Sequence, residues 1–195
     1  NIKKFSASKP TAVVSTINGD SNVPFYKELG NQGVKAEDIP VVAFSVGAEA
    51  LRGIDTTPLV GHLAAWNYFM SMDNTYNDEF VKQWEAYVKE HNLPGGADRV
   101  TNDPMEAHYI GFKMWVQAVE QAGTPDVDAV RQALAGQTVA GPSGYEIKMD
   151  QKNHHLHKPV VIGEVNEDGH FDIVWQTPGP IRAQAWSPYI PDSKD

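Results

Sequence analysis

Cysteine is absent from the 195 residues. That excludes disulfides, thiolate metal sites and a cysteine nucleophile. It leaves the compartment open, because a chain without thiols is equally stable on either side of a membrane. No apolar run reaches the roughly 18 residues that a membrane-spanning helix needs. Dense runs of Lys and Arg are missing too, and the formal net charge is −9. Phosphate binding relies on clustered cations, so nucleic acid is not expected as a partner. There is no Gly-x-Ser-x-Gly elbow, and the pair Gly95-Gly96 lacks the Lys and Ser/Thr of a phosphate loop. The chain opens on Asn1 with neither Met nor apolar leader. Ile2, Phe5 and Ser6 suit the last turns of a helix that Lys9-Pro10 ends, so the expectation is a segment from the interior of a longer protein.

What is present is ordinary core material, 41% apolar, arranged in alternating patterns. Ala12 to Ile17 reads as a buried strand, and Asn18 to Asn22 as a polar loop. A helix follows, capped by Asp20 or Ser21, with Val23, Tyr26 and Leu29 on its apolar face and Gly30 and Gly33 at its end. Val41 to Ser45 is continuously apolar, as in a strand covered on both faces. Ala48 to Arg52 suits one or two helical turns, and Leu59 to Trp66 a third strand. Asp78 is placed to cap a helix carrying Phe80, Val81, Trp84, Tyr87 and Val88, which Pro94-Gly95-Gly96 ends. Strand and helix in alternation imply an α/β fold with a parallel sheet and right-handed crossovers.

The alternation then breaks. Asp103 as cap and Pro104 at the first position open a long helix with a stripe of Met105, Tyr109, Phe112, Val116 and Val119, ended by Gly123. A second helix, Val127 to Leu134, opens at Pro125 or Asp126. Tyr145 to Met149 alternates as a strand, and Val160–Val165 with Phe171–Gln176 form a hairpin on the Asp168-Gly169 turn. Pro178, Pro180, Pro188 and Pro191 impose an extended tail.

Ligands of open α/β sheets sit in loops at the carboxyl ends of the strands. Thr16, Ile17 and Asn18 end the first strand and supply a hydroxyl, a backbone group and an amide, neutral partners for a small polar solute. Ser45 and Val46 end the second strand, and Trp66 and Tyr68 the third, where aromatic rings can exclude water or simply fill core. Glu106 and His108 are expected toward cleft or solvent. His154, His155 and His157 look metal-ready, but they lie between strands with few acidic neighbours, and no metal or cofactor is expected.

Several separated motifs carry a family likeness: Ser15-Thr16-Ile17-Asn18-Gly19-Asp20-Ser21-Asn22, Phe44-Ser45-Val46, Thr101-Asn102-Asp103-Pro104-Met105-Glu106-Ala107, Tyr109-Ile110-Gly111, Asn153-His154-His155 with Lys158-Pro159, Ile162-Gly163, Asp168-Gly169-His170-Phe171 and Val174-Trp175. In these the chain resembles the C-terminal half of a type I periplasmic solute-binding protein of an ABC transporter. Within the branched-chain amino-acid receptor group, it is most similar to the urea and short-chain amide subfamily. The resemblance implies a non-enzymatic receptor with a Rossmann-like, parallel-sheet lobe, part of a second lobe and a C-terminal antiparallel hairpin. Residues 1–100 would form the main part of lobe two, 101–157 part of lobe one, 158–177 the return to lobe two, and 178–195 the Pro-rich tail. Thr16, Ile17, Asn18, Ser45, Val46, Trp66 and Tyr68 would then face urea or a short amide. The partners would be that neutral solute and membrane-embedded ABC permease subunits. The location would be the periplasm, or the outer face of a Gram-positive cell with a membrane tether. The same fold also serves a cytoplasmic amide-sensing regulator and branched-chain amino-acid receptors, the alternative readings.

Overall fold

The computed structural model describes residues 2, 4, 7 and 9–192. The helix tail expected over Phe5 and Ser6 lies outside the described residues. In chain order the elements are β1 (Val13–Ser15), α1 (Asn22–Asn31), β2 (Val41–Ala43), α2 (Ala48–Leu51), β3 (Leu63–Trp66) and α3 (Thr75–Glu90). The two helices without an intervening strand follow as α4 (Asp103–Ala122) and α5 (Val127–Leu134). The rest is β4 (Thr138–Ala140), β5 (Glu146–Met149), β6 (Leu156–His157), β7 (Val161–Val165) and β8 (Phe171–Gln176).

Two sheets result. The larger has the order β1-β2-β3-β7-β8, with the first three strands parallel and β7 and β8 antiparallel. The smaller is the antiparallel set β4-β5-β6. The α/β expectation is met: the βα alternation supplies the parallel half, and the Asp168-Gly169 turn, with Gly169 at φ +73°, supplies the closing hairpin. Each sheet has its own core. Tyr26, Val41, Leu59, Tyr68, Phe69 and Phe171 fill the first. Ile110, Met114, Val139 and Ile147 fill the second. Helix α4 serves both, since Met105 and Tyr109 near its start pack on the first core and Ile110 and Met114 on the second.

His62 fixes the register between β2 and the turn before β3. Its ring is fully buried, and Nδ1 accepts the Val41 N–H at 3.1 Å, so the proton sits on Nε2, which faces the Val34 carbonyl at 3.4 Å.

Four local expectations are corrected. β3 is shorter than Leu59–Trp66, because Thr57–Leu59 winds into a 3₁₀ turn around Pro58; Leu59 is still core. Asn74, not Asp78, caps α3, its side chain accepting the Asn77 N–H at 3.0 Å. Asn102, not Asp103, caps α4 by accepting from Met105 N–H at 3.0 Å. The buried face of α4 is Glu106, Ile110, Met114 and Ala118, one step round from the stripe that hydrophobicity suggested, and Phe112 is 65% exposed. The stripe is misplaced because a charged residue occupies the face that packs.

Candidate functional site

Because β1, β2 and β3 are parallel, their carboxyl ends open on one edge of the sheet. Thr16–Asn18 leave β1 there, Phe44–Gly47 leave β2, and Asn67 follows β3. One side chain ties the first two loops together. Asn22, buried at the start of α1, donates from Nδ2 to the Ile17 carbonyl at 3.2 Å and to the Ser45 carbonyl at 2.8 Å. Below it, the buried Ser15 hydroxyl accepts the Ile17 N–H at 3.4 Å. The Phe44 N–H donates to the Ser15 carbonyl at 3.2 Å.

The third strand joins through Gly47. A methyl group there would lie 2.7 Å from Cζ3 of Trp66 and 2.5 Å from Oε2 of Glu49, so only glycine permits this approach. Glu49, in the first turn of α2, is exposed as a residue but turns its carboxyl inward. Loss of water raises its pKa, opposed by its own backbone N–H and by the Asn102 side chain.

The residues singled out from sequence fall into two groups. Thr16 and Asn18 are exposed, Ile17 and Ser45 half-buried, and Trp66 half-buried with its ring 6.2 Å from that of Phe69. These lie at or just past the carboxyl ends of β1, β2 and β3. Val46 and Tyr68 are core. The Tyr68 hydroxyl bonds to Asn77 Oδ1 and Thr101 Oγ1, each at 2.7 Å, and burial pushes its pKa well above the usual tyrosine value. Asn22, Gly47 and Glu49 escape a sequence reading: the first resembles any early helix residue, and the other two meet only when the chain turns at the end of β2.

Where Asn67 leaves β3, three segments converge. Lys158 Nζ lies 2.5 Å from Glu106 Oε2 and 3.5 Å from Asp103 Oδ1. Asn67 donates its N–H to Asp103 at 3.2 Å and its Nδ2 to the Pro159 carbonyl at 2.6 Å. Glu106, expected toward cleft or solvent, is fully buried here. Burial pushes its carboxyl up to about 7, Lys158 pulling the other way. His108 is exposed, its Nδ1 2.7 Å from the Pro104 carbonyl.

The histidine run does not converge. His157 Nε2 meets Asp150 Oδ2 at 3.0 Å, and His154 sits in a left-handed conformation at φ +56°. Asp150 is held down at about 2, first by the Lys152 N–H, then by His157 and by the Asn153 N–H, with partial desolvation opposing them. Among the described residues no group of three or more His, Asp or Glu side chains is arranged to hold a metal ion. Among the same residues, no helix is long and apolar enough to cross a membrane.

Solved structures share this fold. A solute-binding protein of an ABC transporter from Rhodopseudomonas palustris BisB5, in complex with 3,4-dihydroxybenzoic acid, superposes with a TM-score of 0.76 at 19% identity, covering 92% of this chain and 48% of that one. An amino acid ABC transporter substrate-binding protein from Pseudomonas fluorescens Pf-5 gives 0.73 at 21% identity, over 90% and 46%. The leucine-binding protein LivK of Thermotoga maritima gives 0.66 at 17%, over 89% and 46%. At these identities the likeness is one of fold. In sequence, the chain is 35% identical to a limonene hydroxylase from Geobacillus stearothermophilus over 124 residues, 64% of this chain and 21% of that protein. The chain thus spans about half the length of these solved proteins and about a fifth of the hydroxylase. The model of the periplasmic binding protein domain matches residues 1–192, and the chain belongs to that family.

Proposed function

We propose that this chain is the C-terminal part of the solute-binding component of an ABC importer, and that its strand-end wall closes on urea or a short-chain amide. The carrying observation is the chemistry of that wall. Thr16, Asn18 and Ser45 offer hydroxyl and amide groups, and neither Lys nor Arg occurs in 16–18, 44–49 or 66–67. A carboxylate would meet no Lys or Arg in these spans to offset its lost hydration. A neutral solute with N–H donors and a carbonyl is matched by such groups. The likeness of Ser15–Asn22 and Asn153–Pro159 to the urea and amide receptors supports the same solute class.

In this reading residues 1–100 and 158–177 form lobe two and 101–157 contribute to lobe one, with 178–195 as the tail. The Asp103–Glu106–Lys158 cluster then sits where the chain crosses between them. A solute touching both lobes stabilises the closed form by its differential affinity, and the closed form engages the permease on the periplasmic or outer side of the membrane. Of the residues singled out, Thr16, Asn18, Ser45 and Trp66 are assigned to the solute, and Ile17 to the backbone frame. Val46 and Tyr68 act as the packing beneath.

Intrinsic fluorescence of the full-length protein, titrated with urea, acetamide, leucine and glutamate, tests the proposal. A saturable response to urea or acetamide is expected. Tight leucine binding without an amide response overturns it in favour of a branched-chain amino-acid receptor.

A further inference from the structure

Glu49 is the one ionisable side chain in the spans 16–18, 44–49 and 66–67 that meet at the ends of β1, β2 and β3. Its carboxylate lies over the bare backbone of Gly47 beside the Trp66 ring edge, in a space that any β-carbon at position 47 would fill. The Asn102 side chain acts on the carboxylate as a donor. The Oδ1 of Asn102 is taken by the Met105 N–H, which leaves its NH₂ for the carboxylate. Glu49 also accepts its own backbone N–H. A carboxylate has about four lone-pair sites, so acceptor capacity remains, and the exposed residue keeps that capacity within reach of a solute. Self-capping of a four-residue helix explains the backbone bond, but neither the glycine nor the Asn102 contact.

We infer that Glu49 is the solute-recognising acceptor of this wall, taking N–H groups from a urea, a primary amide or an ammonium and turning away a carboxylate offered to the same corner. The inference rests on the proposed solute-binding reading and sharpens it. Trp66 and Gly47 act with Glu49: the indole edge removes competing water from one side of the carboxylate, and the glycine lets the two meet. Wherever a ligand carries both a carboxylate and an N–H donor, the donor end is the one directed here.

Calorimetric titration of the full-length protein and its Glu49→Gln variant with urea, acetamide, leucine and benzoate tests this. The ligands that carry N–H donors are expected to bind Glu49→Gln about tenfold more weakly or worse, the scale of one charge-assisted hydrogen bond. Loss for urea or acetamide marks an amide solute, and loss for leucine alone an ammonium. Gly47→Ala, which forces carboxylate and indole apart, should weaken the same ligands, and unchanged thermal melting of Glu49→Gln excludes a folding defect. A loss of threefold or more supports the inference. A smaller loss overturns the role of Glu49 and leaves the solute-binding reading standing. No binding of any of the four, or of benzoate alone, to the unaltered protein overturns the urea and amide reading, and the role of Glu49 with it.

Discussion

Asn22 holds the Ile17 and Ser45 carbonyls with a single NH₂ group, and so sets the spacing between two loops that share no strand ladder beyond Ser15 and Ala43. The residue is 1% exposed, so truncation leaves two carbonyls without their shared donor in a site that water enters poorly. Asn22→Ala is expected to lower unfolding free energy by about 1–3 kcal/mol, read from urea-free guanidinium melts so that the denaturant does not compete with the proposed solute. Asn22→Asp should cost more, because it sets an anionic oxygen against the same two carbonyls. Equal stability of the Asp variant and the unaltered protein would show that the amide does not bridge these loops. Thr16 is different in kind. Its side chain is exposed, and Thr16→Val should leave stability within about 0.5 kcal/mol while weakening solute binding in the full-length protein.

Helix α4 is the element where sequence and structure part furthest, and its buried face carries one ion pair. Lys158 is 9% exposed and Glu106 fully buried, so neither is solvated if the other is removed. Lys158→Met should destabilise by about 3–5 kcal/mol, whereas the double variant Lys158→Met/Glu106→Leu should recover most of that loss, since an apolar pair of similar volume carries no desolvation cost. Thermal melts of the two variants give the comparison. If the single variant melts like the unaltered protein, the pair does not hold α4 against the β6–β7 connection. The same pair explains what was legible. The βα alternation, the α5 cap at Asp126 and the Asp168-Gly169 hairpin are local signals, and each appears where its residues indicate. The face of α4 is not local. Glu106 enters the interior only because Lys158, far along the chain, arrives to meet it, and a hydropathy stripe counts a glutamate as surface. Likewise Thr16, Asn18 and Ser45 could be read as strand ends. The bridge from Asn22 and the fold-back of Glu49 over Gly47 depend on a geometry that no spacing encodes.

Across the whole molecule, two buried groups in different places tilt stability in opposite directions over one pH window. His62, beneath β2, is held neutral by burial, partly opposed by the Val34 carbonyl, so its folded pKa lies below the ordinary 6.5. The unfolded chain therefore binds the extra proton first. The contribution of His62 is complete above about pH 6.5 and is lost as pH falls from there toward the folded value. Glu106 has the reverse sign. Burial raises its folded pKa from 4.5 to about 7. The folded chain holds that proton when the unfolded chain has released it, so the contribution is complete below about pH 4.5 and is lost as pH rises through 7. Each slope approaches at most about 1.4 kcal/mol per pH unit, and between pH 5 and 6.5 they oppose. In the unaltered protein each therefore masks part of the other's slope there. His62→Gln should uncover a stability that falls with rising pH, and Lys158→Met/Glu106→Leu one that rises. Guanidinium melts of the three proteins at pH 5.0, 5.75 and 6.5 decide the matter: parallel profiles in all three would mean that neither group titrates with the burial assigned to it.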